Sequence, residues 1–524
     1  MKLKSLPNRR RFLAEVGGGT LLAALGPGLA SELGLDSGNL SGEDPKALDF
    51  GPMEPLVRFM QETPVAALQG ALAVKLEEGE SLQTLIAAGA LANARTFGGE
   101  DYVGYHTLMA LSPALKMSGS MPAGQQALPV FKVLYRNTER IQGFGGRAAE
   151  VLHPVLPDGE GGQADAAALR DAVRRQDRPA AESLFALLSQ QGDQAAFDAL
   201  LHTVQENTEV HRTVLPYRAW DLLEVVGREH AHTLLRQSVR YCLHAEKSRS
   251  QNWEKHGKVL AQLLEEYGLL GKEPGDRAAD DAFVEQLSQT IFSGSPADAA
   301  GAVAEALAAG LDPAAVGEAI SLATNQLVLR DRGRPPEGES AGKPVGSVHG
   351  DSIGVHASDS ANAWRNMARA SRGRNLYACL ILGAWQAALD RTQRGGDFEN
   401  WAPLPIEWQL QRIQATELPA LLHELEQAVR QNLQATAGTL VHRCGQLGHP
   451  PGPVFELLLR YAVSEDGALH AEKYFQTVWE EFHATRPAFR WRHLTALARV
   501  TASEYGRPAA GQAEARELLG VSLL

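Results

Sequence analysis

The sequence predicts an all-α, multi-helical fold built from two related stretches, and three observations carry that expectation. Between about residues 64 and 500 the chain runs as Ala- and Leu-rich amphipathic segments separated by Gly, Asp-Pro and Ser-Pro breaks, without the period-two alternation of strands. Helix boundaries are written explicitly at 295–328. Ser295 and Pro296 open "SPADAAGAVAEALAAG", Gly310 closes it, and Asp312-Pro313 open the next helix. Finally, "DYVGYH" at 101–106 returns as "DSIGVH" at 351–356, the same Asp-x-aliphatic-Gly-x-His in both places.

The flanks extend this echo. "GALAVKLEEGES" (70–81) matches "GAVAEALAAGLD" (301–312), and Ser81 and Asp312 are both suited to cap the helix that follows. Gly79 to Asp101 spans 22 residues and Gly310 to Asp351 spans 41; the surplus falls in "RDRGRPPEGESAGKP" (330–344), which reads as an inserted loop. "EVHRT" (209–213) has an echo in "LVHRC" (440–444), and "EHAH" (229–232) a looser one in "LHAE" (469–472). The expected organisation is therefore an internal duplication. A segment 31–63 serves as linker, halves at 64–260 and 283–500 pack about a pseudo-twofold axis, and 501–524 forms a tail. An open solenoid of helix pairs is the alternative architecture.

Composition narrows the function classes. With 524 residues and 44% hydrophobic content a large core is available, and a net charge of −12 argues against a generic nucleic-acid or anionic-membrane binder. The basic run "RPAFRWRHLTALARV" (486–500) reads as a solvated helix face with aromatic anchors. Three cysteines (Cys242, Cys379, Cys444) do not make a disulfide framework. No His-Glu-x-x-His, Gly-x-Ser-x-Gly, Walker-type or Rossmann motif is present.

The first thirty residues resemble a twin-arginine export signal: "NRRRFLA" (8–14) with Arg9, Arg10, Phe12 and Leu13 in the motif positions, a modest apolar run, and a small-residue exit at "GLA" (28–30). The resemblance implies recognition by the twin-arginine machinery, removal of residues 1–30 and a periplasmic or extracellular location. The apolar run is shorter than the ~20 residues that span a bilayer, so stable membrane insertion is not expected.

Histidines carry the chemistry. The two halves supply an ordered set, His106, His211 and His230 in the first and His356, His442 and His470 in the second. Neutral imidazole binds borderline transition metals (Cu, Fe or Zn) through one nitrogen while the other donates a hydrogen bond that fixes the ring. Asp101 and Asp351 suit helix capping or acceptance of that second hydrogen bond. After His356, "ASDSANAW" (357–364) crowds polar groups where a core would prefer Leu or Ile, and Asp359, one turn on, is the candidate catalytic carboxylate. Tyr105, Tyr217, Trp220 and Trp364 are candidate walls of a pocket for a small organic, aromatic substrate. The pairs Glu229/His232 and Glu480/His483 have di-iron spacing but lack further bundle carboxylates, and rank below the histidine set.

The arrangement "GYHTLMALSPALKM", then "VHRTVLPYRAWDLLEVVG", then "GVHASDSANAW" resembles the questin oxidase-like family. The resemblance implies oxygen-dependent oxidoreductase chemistry on an aromatic substrate and points to His106, His211 and His356. The leader departs from that family's intracellular members, and an exported enzyme has no ready NADPH. The leading expectation is an exported, histidine-ligated oxidase or oxygenase. A non-catalytic helical-repeat scaffold, and a metal-independent enzyme using His356 with Asp359, are the rival readings.

Overall fold

The computed structural model describes residues 48–155, 157, 164–248, 254–393 and 396–522, so the expected export signal lies outside the described residues. Among the described residues every regular element is a helix. They are α1 (Glu54–Glu62), α2 (Val65–Glu77), α3 (Leu82–Phe97), α4 (Tyr102–Gly119), α5 (Ala127–Phe144), α6 (Ala166–Arg174), α7 (Arg178–Ser189) and α8 (Asp193–Val204). Next come α9 (Val210–Val226), α10 (Ala231–Ala245), α11 (Glu254–Glu266), α12 (Asp281–Ser293), α13 (Pro296–Ala308), α14 (Pro313–Arg330), α15 (Ile353–Ala370) and α16 (Arg374–Gln393). The chain closes with α17 (Glu407–Arg412), α18 (Leu418–Arg430), α19 (Gln434–Gln446), α20 (Gly452–Ser464), α21 (His470–Ala484), α22 (Trp491–Glu504) and α23 (Gln512–Leu518). No described helix is long and apolar enough to cross a membrane.

The capping chemistry acts as the sequence indicates. Ser295 and Asp298 form a reciprocal capping box at α13, Asp312 accepts from the Ala314 N–H to start α14, and the Ser81 hydroxyl accepts from the Thr84 N–H to start α3. The two echoing aspartates behave differently. Asp101 caps α4 by accepting from the Gly104 N–H, whereas Ser352 caps α15 and Asp351, one residue outside, pairs with Arg334 and Lys343.

Helices α3, α4 and α5 pack on one another, as do α14, α15 and α16. Helix α9 lies against α3 and α4 and crosses to α15; α21 lies against α15 and crosses to α4. Four helices, α4, α9, α15 and α21, thus form the centre of the molecule. Helix α21 is pinned to the first stretch by an ion pair between Lys132 of α5 and Glu472, 2.5 Å long and with both side chains fully buried. Removing one partner of such a pair strands a charge and costs about 3–5 kcal/mol.

The first and last parts of the described chain also meet, because α23 packs on α2 and α5. This closure corrects the open-solenoid alternative, whose terminal units would stay apart. The described parts of the segments read as linker (48–63) and tail (501–522) likewise pack into the body. In α1, Val57 and Met60 are buried and Glu54 pairs with buried Arg95 at 2.7 Å, so apolar anchors and an internal ion pair hold what looked like spacer.

The basic run turns inward too. Arg486 pairs with Asp281 and Glu318, Arg492 with Glu285, and buried Arg499 donates to the Asp331 carbonyl at 2.5 Å. Its arginines tie helices together. The expected solvated face is in large part internal scaffolding.

Candidate functional site: four imidazoles at converging helix N-termini

Each of the four central helices begins with a histidine in its first turns: His106 in α4, His211 in α9, His356 in α15 and His470 in α21. The crossing of these helices brings the four N-termini together. His106 Nε2 lies 3.3 Å from His211 Nε2, and His356 Nε2 lies 3.3 Å from His470 Nε2. Ring centroids are 4.8 Å apart for His106–His211, 5.2 Å for His356–His470, 5.4 Å for His106–His470 and 6.1 Å for His211–His356.

The outer nitrogens fix the rings. His106 Nδ1 donates to the Tyr102 carbonyl at 2.6 Å, and His470 Nδ1 to the Ala468 carbonyl at 3.1 Å. His211 Nδ1 meets the Glu209 carboxylate at 2.7 Å. A carbonyl oxygen only accepts, so in His106 and His470 the proton sits on Nδ1 and the Nε2 lone pair points into the cluster. Burial, with Lys473 nearby, holds both of these imidazoles well below the usual histidine range and therefore neutral. Two lone pairs do not attract at 3.3 Å. The His106–His211 contact requires a shared proton or a cation.

Glu209 is the anionic support. It is the N-cap of α9, its carboxylate accepting from the His211 and Arg212 N–H groups and from the Tyr241 hydroxyl at 2.7 Å. Burial alone would raise its pKa; the hydrogen bonds from His211 and Tyr241 overcome that and hold it at about 2. Tyr105 stacks on His106 with centroids 5.0 Å apart and meets Tyr241 edge-on, so aromatic rings wall this side. The positive ends of four helix dipoles also face the cluster, which favours neutral imidazoles and anions there.

His230 and His442 stand elsewhere. His230 follows the C-terminus of α9, whereas His211 opens that helix; at about 1.5 Å rise per residue the length of α9 separates them. It packs edge-on against Phe50. His442 lies on α19, where its charged neighbour is Arg492 at the start of α22. The partner of His356 is thus His470, not His442. It was the weakest of the sequence echoes, in "LHAE", that carried the ligand-like residue.

Asp359 is buried, and its carboxylate accepts from Thr477 Oγ1 at 2.8 Å. Burial pushes its pKa up, against the pull of Lys473 and Arg218. Lys473 is itself buried, and burial pushes it down to about 8. The polar groups after His356 find partners within the helix packing: Ser358 donates to the Gly354 carbonyl and Ser360 accepts from Gln386. Of the predicted walls, Trp364 is core, its Nε1 donating to Gln386 at 2.7 Å. Tyr217 and Trp220 line a different cavity, beside Glu480 and His483.

A cavity of about 270 Å³ opens directly beside His106 and His470. It is lined also by Tyr102, Arg136, Lys343, His349, Asp351, Glu504 and Arg507. Glu504 accepts from the Gly350 N–H at 2.9 Å, and burial pushes its carboxyl up to about 8. Of these, Asp351 stood out in the sequence as part of the echoing hexapeptide, whereas Arg136, His349, Glu504 and Arg507 did not. Glu209 was visible only as the residue two before His211, the spacing that lets an N-cap carboxylate also reach a ring nitrogen.

Among the described residues, no group of three or more His, Cys, Asp or Glu side chains has the spacing of a closed metal site. The four imidazoles stand as two close pairs facing each other. No protein-family model matches the chain, and neither a curated protein nor a solved structure does.

Proposed function

We propose that His106, His211, His356 and His470 hold a transition metal, and that the protein is an exported oxidoreductase acting on a small organic substrate in the adjoining cavity. The observation that carries the reading is the pair of Nε2–Nε2 separations of 3.3 Å, with the outward nitrogens of His106, His211 and His470 tied to acceptors. Nitrogens about 2.05 Å from one tetrahedral ion are about 3.3 Å apart, and a ligand imidazole characteristically donates its other N–H to a carboxylate or carbonyl.

The bound ion would supply redox or Lewis-acid chemistry. Glu209 orients His211 and contributes negative charge that offsets the helix N-termini. The Tyr102 and Ala468 carbonyls orient His106 and His470. Tyr105 and Tyr241 exclude water from one side, leaving the cavity as the approach. Copper, iron and zinc all suit imidazole donors. The oxidative assignment follows the questin oxidase-like resemblance; the twin-arginine leader, with the location it implies, favours oxygen over NADPH as the co-reactant. We further read the two His-bearing stretches as copies of one ancestral unit.

Lys473 favours a second reading. A buried ammonium beside His106 and His470 opposes a cation, and a proton held between His211 and His106 would satisfy their contact without metal. Elemental analysis of protein purified from a host with intact twin-arginine export separates the two. About one equivalent of copper, iron or zinc per chain, lost in His106→Ala and His356→Ala with the helical circular dichroism intact, supports the metal centre. A well-folded preparation without stoichiometric metal, taking up none on titration, overturns it.

A further inference from the structure

The cavity beside His106 and His470 has a composition the metal does not explain. Three cations border it, Arg136, Lys343 and Arg507. Lys343 is committed to Asp351 at 2.6 Å, and Arg136 to Glu139 at 3.0 Å and Asp466 at 3.7 Å. Among the described residues Arg507 has no carboxylate partner; its backbone N–H, not its guanidinium, engages Glu465. The guanidinium lies over Gly342, so close that a Cβ at that position would overlap it. The glycine leaves the room the arginine uses.

His349 supplies the second group. It is only 4% exposed, lines the same cavity, and its Nε2 has no hydrogen-bond partner. A buried polar atom left unsatisfied costs about 1–3 kcal/mol, so the atom is better explained by a ligand it meets. The first turn of α4, through Tyr102 and Val103, and the start of α21, through His470, bring helix N-termini to the same wall, which favours negative charge. The volume sets the size. A cavity of roughly 150 Å³ holds benzene, so 270 Å³ accommodates one ring with a carboxylate and a further substituent.

We propose that this cavity binds a small organic acid of one-ring size, its carboxylate held by Arg507 and His349 and its body directed at His106 and His470. The binding claim stands on the cavity alone. Calling the acid a substrate rests on the proposed reading of the four imidazoles.

The test is isothermal titration of the purified protein with benzoate and with benzyl alcohol, which matches its size without the charge. Saturable benzoate binding at one site per chain, at least ~10-fold tighter than benzyl alcohol, is expected, and Arg507→Gln should weaken benzoate roughly 10- to 100-fold while Arg507→Lys weakens it less. Equal affinity for the two probes, or benzoate binding untouched by Arg507→Gln in a folded variant, overturns the proposal. Should Arg507→Gln fail to fold, the comparison of probes on the unaltered protein still decides. His356 does not line the cavity, so the His356→Ala variant separates this proposal from the metal reading. Benzoate binding kept in a metal-free variant upholds the anion site on its own; a metal-replete protein that ignores benzoate refutes the anion site and leaves the metal centre standing.

Discussion

The two echoing hexapeptides end in histidines that meet in one cluster, yet the chain arrives at them differently. In the first stretch α3 passes to α4 through a tight connection, Gly98 to Asp101, whose Gly98 carbonyl accepts from Arg240 at 3.1 Å. In the second, α14 passes to α15 through residues 331–352, and the amide of Gly350 is held by the buried Glu504 carboxyl. The longer connection supplies Lys343, His349 and Asp351 to the cavity. One stretch closes its side of the cluster with tyrosines; the other spends its extra chain on building a pocket. The difference teaches that two similar hexapeptides can bring histidines to one cluster while their surroundings are divided between anchoring and access.

The shared glycine sharpens the comparison most. A Cβ on Gly354 would meet main-chain atoms of α14, Val328 N at 2.6 Å and the Leu327 carbonyl carbon at 2.8 Å, whereas one on Gly104 would meet the Phe97 ring at 2.6 Å. Backbone gives way less readily than a side chain. Gly354→Ala should therefore destabilise by about 3 kcal/mol and Gly104→Ala by about 1 kcal/mol in denaturant unfolding. Equal losses would mean that the two helix pairs are equally compliant.

Glu209 supports His211 through a side chain, whereas on the other pair a main-chain carbonyl, that of Ala468, holds His470. On the proposed metal reading, Glu209→Gln should reduce metal affinity by roughly 10- to 100-fold in competition with a chelator while the fold persists. Unchanged affinity would show that Glu209 does not support the proposed metal site.

Glu504 distinguishes the second side by pH. Its carboxyl is raised from an ordinary 4.5 to about 8 in the folded protein, so above pH 4.5 the unfolded chain releases this proton while the folded chain keeps it. The stability it contributes is present below pH 4.5 and is lost as pH rises toward 8. Glu504→Gln should consequently gain on the unaltered protein in thermal melts as pH climbs from 5 to 8. A constant gap across that range would refute the assignment.

The smallest effect concerns the aspartates. Asp101→Ala removes a cap and the Arg140 pairing and should cost about 1 kcal/mol. Asp351→Ala removes ion pairs from a carboxylate that is 37% exposed, and after solvent screening should cost less, about 0.5 kcal/mol. A reversed order in urea melts would mean that Asp351 holds the long connection in place.

Much of this was legible because it is local. Ser81, Asp101, Ser295 and Asp312 cap the helices that follow them through hydrogen bonds spanning two or three residues, which sequence spacing records directly. The loop at 330–344 was visible as Pro, Gly and charge. Less visible was which histidine joined which. "LVHRC" copies "EVHRT" more closely than "LHAE" copies anything, yet His442 sits on α19 and His470 opens a central helix. Helix crossing, not similarity, selected the ligand-like residue.

By itself the sequence determined the helical class, many of the helix starts and the placing of His106 and His356 in the first turns of helices, since capping and periodicity act within one or two turns. Only the tertiary structure decided that α4, α9, α15 and α21 present their N-termini to one point. It also decided that His470 completes the set, and that Arg507 and His349 border the adjoining cavity. Those meetings depend on contacts between residues more than a hundred positions apart, fixed by the burial of a whole core, and no local spacing encodes them.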